Sequence, residues 1–256
     1  MVSVRVIIAH YREDLGWLDK LKREGHEILI YEKNTDLSKY DEYIQINENQ
    51  VLLANIGREA HTYLMHIVKN YDNLRDYEVF FQGRVDDHMD GHPEDNLKDI
   101  IGKDYLSWCT TCKTKIGCFS EEVYQEMKKK HPDHKHINQY YTKDGLRDYL
   151  FFKDTFPNLP LPKEAYYYNA FALFAVKKEV IQYYPKEFYE KLLNYFNPNY
   201  KNFMNMEPSH FAINMAYTFE VFWDFIFNSE AYWLSRRYNF RNHITNNITV
   251  YYILYD

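Results

Sequence analysis

Apolar and polar positions follow two different periods along the first third of the chain. Residues 4–9, Val-Arg-Val-Ile-Ile-Ala, are apolar and rich in β-branched side chains, which predicts a buried strand ending at His10 and Tyr11. A helix is expected from Leu15 onward. Glu27–Tyr31 predicts a second strand and Tyr43–Ile46 a weaker third. The period then lengthens: Ala60, Tyr63, Leu64, Ile67, Val68 and Tyr71 recur on one helical face, with Asn55 placed to cap the helix. Glu78–Phe81 returns to strand and leads into Gln82-Gly83-Arg84-Val85-Asp86-Asp87-His88. Strands alternating with helices imply an α/β sheet covered by helices on both faces.

The second half is less regular. Leu106–Trp108 reads as a strand, Glu121–Lys130 as a polar helix and His131–Tyr141 as a loop. Gly145–Lys153 reads as a helix that Pro157, Pro160 and Pro162 bring to a stop. Ala170–Val176 is expected to be a core strand. Helices follow at Lys178–Tyr184 and at Lys186–Phe196, the latter with Phe188, Leu192 and Phe196 on one stripe. Pro208 suits the first turn of a long helix to Phe227, with Phe211, Met215, Thr218, Phe222 and Phe225 facing the core.

Composition narrows the function classes without choosing one. The chain has 256 residues, 46% hydrophobic and 27% charged; at roughly 100–200 residues per domain this suits one domain with an appended lobe. Its 31 Lys and Arg stand against 37 Asp and Glu, a net charge of -6, which disfavours nonspecific binding to nucleic acid. No stretch approaches the ~18 apolar residues of a membrane span. Met1-Val2-Ser3-Val4 runs directly into the first strand rather than into a basic-then-apolar leader, so a cytoplasmic location is expected. The 26 Tyr and 17 Phe fit an AT-rich coding bias better than sugar stacking.

In open α/β sheets ligands settle beyond the carboxyl ends of the strands, where loops converge and helix N-termini point free N–H groups into the crevice. Three stretches meet that criterion. His10-Tyr11-Arg12-Glu13-Asp14 follows the first strand. Asn55-Ile56-Gly57-Arg58-Glu59 opens the long helix; Gly57 would permit close approach of an anion and Arg58 would add charge-assisted bonds, although a capped helix start with a solvated arginine has the same pattern. Arg84–His92 gathers Asp86, Asp87, Asp90, His88 and His92 just past a buried strand. Hard divalent ions take carboxylate oxygens plus substrate phosphates, so Asp86, Asp87 and His88 are candidate ligands for Mn²⁺ or Mg²⁺ on a diphosphate. A polar surface turn is the plainer alternative.

Cys109-Thr-Thr-Cys112 with Cys118 and then His131, His134 and His136 is a competing site. A zinc site normally closes with a second regular Cys or His pair, and a thioredoxin motif, suggested by Trp108, opens a helix early in a βαβ unit. Neither pattern is complete, and reduced thiols without a ligand are the simplest reading of three cysteines.

Several of these residues recur as a set: Tyr11, Glu13, Asp14 and Trp17; Gly57, Arg58, Glu59, Ala60, Tyr63 and Leu64; Phe80, Gln82, Gly83, Asp87 and His88; Phe174–Val176; and Glu220, Trp223, Ile226 and Phe227. Together they resemble the motifs of an uncharacterised family of glycosyltransferase-A-like proteins. The resemblance covers residues 4–92 well and 166–228 more loosely. It implies a single glycosyltransferase-A-like domain, a Rossmann-like mixed sheet with a helical C-terminal part. Residues 1–92 would be its nucleotide-binding half and 93–256 its acceptor half, with an insertion at 110–165.

The resemblance also implies an activity: metal-assisted transfer of a sugar from a nucleoside-diphosphate sugar to a glycan acceptor. The donor would be bound by His10, Tyr11, Glu13, Asn55, Gly57, Arg58, Gln82 and Arg84. Asp86, Asp87 and His88 would hold the metal, although the strict Asp-x-Asp of such folds is absent. Candidates for the base that deprotonates the acceptor are His88, Asp90, Glu207, His210 and Glu220. Helical geometry turns Glu220 away from Phe211 by about 180°, toward water or the rim of the crevice. Because fold does not establish activity, a non-catalytic nucleotide- or sugar-binding module is the alternative, and a zinc-stabilised interaction domain a third.

Overall fold

The β-branched run at the N-terminus forms β1 (Val4–His10), the middle of a seven-stranded sheet, where Val6, Ile7 and Ile8 are fully buried. The computed structural model describes residues 2–34, 36–37, 39–85, 89, 92–109, 111–114, 142–157, 166–200, 207–227, 244–245 and 248–249. After β1 come α1 (Leu18–Arg23), β2 (Glu27–Asn34), β3 (Tyr43–Asn47), β4 (Gln50–Ala54), α2 (Arg58–Asn70), β5 (Tyr77–Gln82), α3 (Pro93–Asn96) and β6 (Tyr105–Ser107). Next are β7 (Thr111–Thr114), α4 (Thr142–Thr155), β8 (Tyr166–Asn169), β9 (Phe174–Lys177), α5 (Lys178–Ile181), α6 (Lys186–Leu193), α7 (Pro208–Phe227), β10 (Ile244–Thr245) and β11 (Ile248–Thr249). The chain divides into a unit of residues 1–110 and 169–229 and a unit of residues 111–168 and 230–256.

The first unit carries the large sheet, in the order β3-β4-β2-β1-β5-β9-β6. β4, β2, β1 and β5 run parallel, while β3 and β9 run antiparallel to their neighbours. Because strand side chains alternate between faces, Val6, Ile8, Val79 and Phe81 pack with Leu18 and Leu21 of α1 and with Leu97 and Ile100. On the other face Tyr63 of α2 meets Phe80 and Phe174, and His66 meets Tyr31 and Phe80. α6 and α7 pack on α2. A mixed α/β fold with helices on both faces is thus present. In the second unit β7 pairs with β8 and β10 with β11. Among the described residues no helix is long and apolar enough to cross a membrane.

Three elements depart from the sequence expectations. Gln50–Ala54 carries no strand expectation, yet it forms β4, paired parallel with β2 and antiparallel with β3. The strand expected from Ala170 begins at Phe174; Ala170–Ala172 is a tight turn with Phe171 and Ala172 at φ 71° and 50°. In α6 the buried face is carried by Tyr189, Leu192 and Leu193, while Phe188 stacks on Tyr184 at 4.2 Å. The helix expected at Glu121–Lys130 and the loop at His131–Tyr141 lie outside the described residues.

Candidate functional site

From β1 the chain steps outward to β2 and β4, and after α2 it returns to the opposite side of β1 as β5. The carboxyl ends of β1 and β5 therefore lie side by side, with Ala9 paired to Gln82, at the switch point where α/β sheets open a crevice. Since β9 is antiparallel to β5, and β6 to β9, the turn before β9 and the end of β6 reach the same edge.

The loops after β1 and β5 interlock there. The Gly83 amide donates to the Ala9 carbonyl at 2.8 Å, and Trp17 Nε1 donates to the Gly83 carbonyl at 2.9 Å. The Glu13 carboxylate lies on Gly83: a Cβ at that position would come 2.6 Å from Oε2. Glu13 also accepts the Tyr11 amide at 2.5 Å. His10 is held through Nδ1 by Glu32 at 2.5 Å and through Nε2 by the Glu13 carbonyl at 3.0 Å. The structure therefore brings together His10, Tyr11, Glu13 and Gln82. It adds Glu32, which the sequence reading missed; only strand register, which pairs His10 with Glu32, makes its place apparent. Arg84 is exposed just beyond the crevice.

The backbone of this edge is strained. Arg12, Arg58, Phe171 and Ala172 have φ of 68°, 51°, 71° and 50°, and among the described residues these are the non-glycine residues with positive φ. Each costs roughly 1–3 kcal/mol and persists only where its surroundings over-determine it. The Phe171–Ala172 turn shows how: Gln82 Nε2 donates to the Phe171 carbonyl at 2.5 Å and the Tyr63 hydroxyl to the Ala172 carbonyl at 3.1 Å. Cys109 Sγ in turn accepts the Leu173 amide at 3.3 Å.

The start of α2 corrects two expectations. Gly57, not Asn55, is the capping residue, and Asn55 is exposed with its amide on the Asn34 carbonyl at 3.1 Å. Gly57 is not left open for an anion either. It sits at φ 61°, and a Cβ there would lie 2.1 Å from Phe196 Cε1, so the missing side chain is required by packing. The anion at this helix start is the chain's own Glu59, 6% exposed. Burial raises its pKa against the pull of Arg58, its own backbone N–H and Lys33, and its Oε1 has no hydrogen-bond partner among the described residues. Arg58 lies 3.7 Å from Glu59 and 3.9 Å from Glu220, and it covers the Tyr217 ring at 5.1 Å. Burial opposes the Arg58 charge, but these neighbours outweigh it and raise its pKa.

Glu220, 14% exposed, is thus turned to Arg58 as an ion-pair partner at the sheet edge. Glu207 and His210 are exposed at the start of α7, roughly 20 and 15 Å from Glu220 along the helix axis at 1.5 Å per residue, and the structure does not bring them to it. Asp86, Asp87, His88 and Asp90 lie outside the described residues, between and beyond Val85 and Met89, which are buried in the core. Among the described residues no group of three His, Cys, Asp or Glu is arranged to hold a metal ion.

Beneath the α2 start, Lys33 is buried and donates to the carbonyls of Ala54 and Ile56 at 3.1 and 2.9 Å; its Nζ also lies 2.9 Å from His61 Nδ1. Burial lowers its pKa to about 7, with Glu59 opposing. Burial likewise pushes the Cys109 thiol up to about 12, which keeps it protonated and a poor nucleophile. The backbone of Cys112 lies in β7, and Cys118, His131, His134 and His136 lie outside the described residues.

No curated protein and no solved structure matches the chain. Residues 6–239 match the model of the family described as Protein of unknown function (DUF3431), and the chain belongs to that family.

Proposed function

We propose that the chain is a glycosyltransferase acting from a nucleoside-diphosphate sugar onto a hydroxyl of a glycan acceptor, on a glycosyltransferase-A-like fold. One observation carries the reading: the loops after β1 and β5 interlock at the switch point, with Glu13 seated on Gly83. In the reaction the bond from the anomeric carbon to the diphosphate breaks, a bond to the acceptor oxygen forms, and the hydroxyl proton passes to a base. Glu13 and Glu32 suit the hydroxyl-bearing part of the donor, since two carboxylates repel phosphate and accept hydrogen bonds from a diol. Arg58, 45% exposed while Glu220 holds it, offers positive charge to the departing diphosphate. Asp86, Asp87 and His88 would hold Mn²⁺ or Mg²⁺, which when bound supplies a Lewis acid to that diphosphate. His88 or Asp90, following β5, takes the acceptor proton.

Calorimetry with UDP and GDP, with and without Mn²⁺, tests this, followed by donor hydrolysis across a panel of nucleotide sugars. Metal-dependent binding that disappears in Asp86→Ala with Asp87→Ala and weakens at least ~10-fold in Glu13→Gln, the loss of about 1.4 kcal/mol, is the expected result. Metal-indifferent binding without turnover would identify a non-catalytic nucleotide- or sugar-binding module instead. No binding of either nucleotide overturns both.

A further inference from the structure

We infer that Lys33 is the positioning residue of the α2 start: its ammonium form holds the connection that carries Arg58 to the sheet edge, and loss of one proton releases that connection. Three acceptors surround Nζ, namely the carbonyl oxygens of Ala54 and Ile56 and Nδ1 of His61, at 3.1, 2.9 and 2.9 Å. Nδ1 is the bare nitrogen, because Nε2 faces the Tyr40 carbonyl at 2.5 Å and has to carry the hydrogen. An ammonium group has one N–H for each acceptor. A neutral amine has two, and its lone pair then faces an acceptor whichever way the group turns.

Deprotonation therefore breaks one of three bonds. Two of them flank Asn55: Ala54 ends β4, and Ile56 precedes Gly57 and Arg58, whose consecutive left-handed conformations shape the first turn of α2. A bond lost there is passed directly to Arg58. The titratable groups facing Lys33 are on α2: Glu59, whose charge favours the ammonium, and His61, which burial and then Lys33 hold neutral. Burial of Lys33 places its pKa at about 7, so the proton count changes within the ordinary working range. The folded chain sheds this proton near pH 7, whereas an unfolded lysine keeps it to about pH 10.5. Global stability therefore rises with pH across that window, while the helix start itself loosens.

The consequence for donor binding rests on the glycosyltransferase reading; the latch does not. The test is an NMR titration of the full chain from about pH 5.5 to 9, spanning the shifted lysine, with labelled lysine, in wild type, Lys33→Arg and Lys33→Met. The Lys33 Cε signal is expected to titrate with a midpoint near 7, and the amides of Asn55–Glu59 to move with the same midpoint. In Lys33→Arg, which keeps its charge, those amides should stay flat; in Lys33→Met they should be displaced at every pH. A Lys33 midpoint at the ordinary lysine value, or helix-start amides that do not follow it, overturns the proposal, and the arginine variant decides even if the methionine variant fails to fold. UDP binding measured alongside should weaken several-fold through pH 7 in wild type and not in Lys33→Arg. Equal pH profiles would overturn the link to Arg58. Absence of UDP binding at every pH would overturn the glycosyltransferase reading and leave the amide titration standing.

Discussion

The two ends of the parallel strands treat buried charge differently. At the amino edge Glu78, fully buried, accepts the Arg75 amide at 2.7 Å, meets His66 Nε2 at 3.2 Å and lies 3.6 Å from Arg5. Tyr31 on His66 and Arg5 and Arg75 on Glu27 extend the network, in which both Glu78 oxygens are engaged although Arg5 Nη1 has no hydrogen-bond partner among the described residues. At the carboxyl edge Glu59 is nearly as buried, yet one oxygen has no hydrogen-bond partner among the described residues and its neighbour Arg58 holds a strained backbone. Both oxygens of Glu78 are paired, as in a scaffold, whereas Glu59 is incompletely paired and follows the positive-φ Arg58, on the edge that also holds Arg12, Phe171 and Ala172.

The largest expected effect breaks the comparison if it fails. Glu78→Ala takes the acceptor from the buried His66 and one of two carboxylates from Arg5, which keeps Glu27, and should cost about 3–5 kcal/mol, the usual penalty for removing one member of a buried pair. Glu59→Gln should change stability by less than about 1 kcal/mol, since the hydrogen bond lost is already incomplete. Urea unfolding followed by circular dichroism measures both. Equal losses would mean that Glu59 is scaffold too.

The two glycines of the carboxyl edge sharpen the same contrast. Gly57→Ala forces a side chain into a left-handed residue, about 1–2 kcal/mol, and against the Phe196 ring, about 1–3 more. Shortening the ring in Phe196→Leu should restore part of that loss. Gly83 has no positive φ, and the nearest atoms to an added Cβ all belong to the Glu13 side chain, whose Oε2 would lie 2.6 Å away. Gly83→Ala should therefore unfold within about 1 kcal/mol of wild type while displacing Glu13 from the crevice, which nucleotide-sugar titration would register as lost affinity.

How much of this was legible depends on whether the cause is local. The β1 run, the α2 stripe and the whole of α7 from Pro208 to Phe227 follow from periodicity, because each element's burial is written in its own residues. The convergence of His10, Tyr11, Glu13 and Gln82 followed from the rule that strand ends gather ligands. Three things could not be read. β4 exists through its neighbours, Glu32 reaches His10 only through strand register, and Gly57 is held by Phe196, far away in sequence. The same nonlocality explains why Arg58 and Glu220, chosen for different roles, meet as one ion pair.

The smallest expected effect addresses the strain itself. Ala172 sits at φ 50°, where an L-residue loses about 1–2 kcal/mol relative to glycine. Ala172→Gly removes that penalty but enlarges the unfolded ensemble, which takes back about 0.5–1 kcal/mol. Loss of the buried Ala172 methyl takes back about 0.8 kcal/mol more, so the net gain should be at most about 0.5 kcal/mol, visible as a small rise in Tm by calorimetry. The carbonyl of residue 172 still accepts the Tyr63 hydroxyl, so the turn keeps its anchor while gaining freedom around it. If the strain serves the site, the stabilised variant should turn over donor more slowly than wild type. If the turn is only a passage into β9, the variant should be more stable and equally active, and the carboxyl edge would then differ from the amino edge in packing alone.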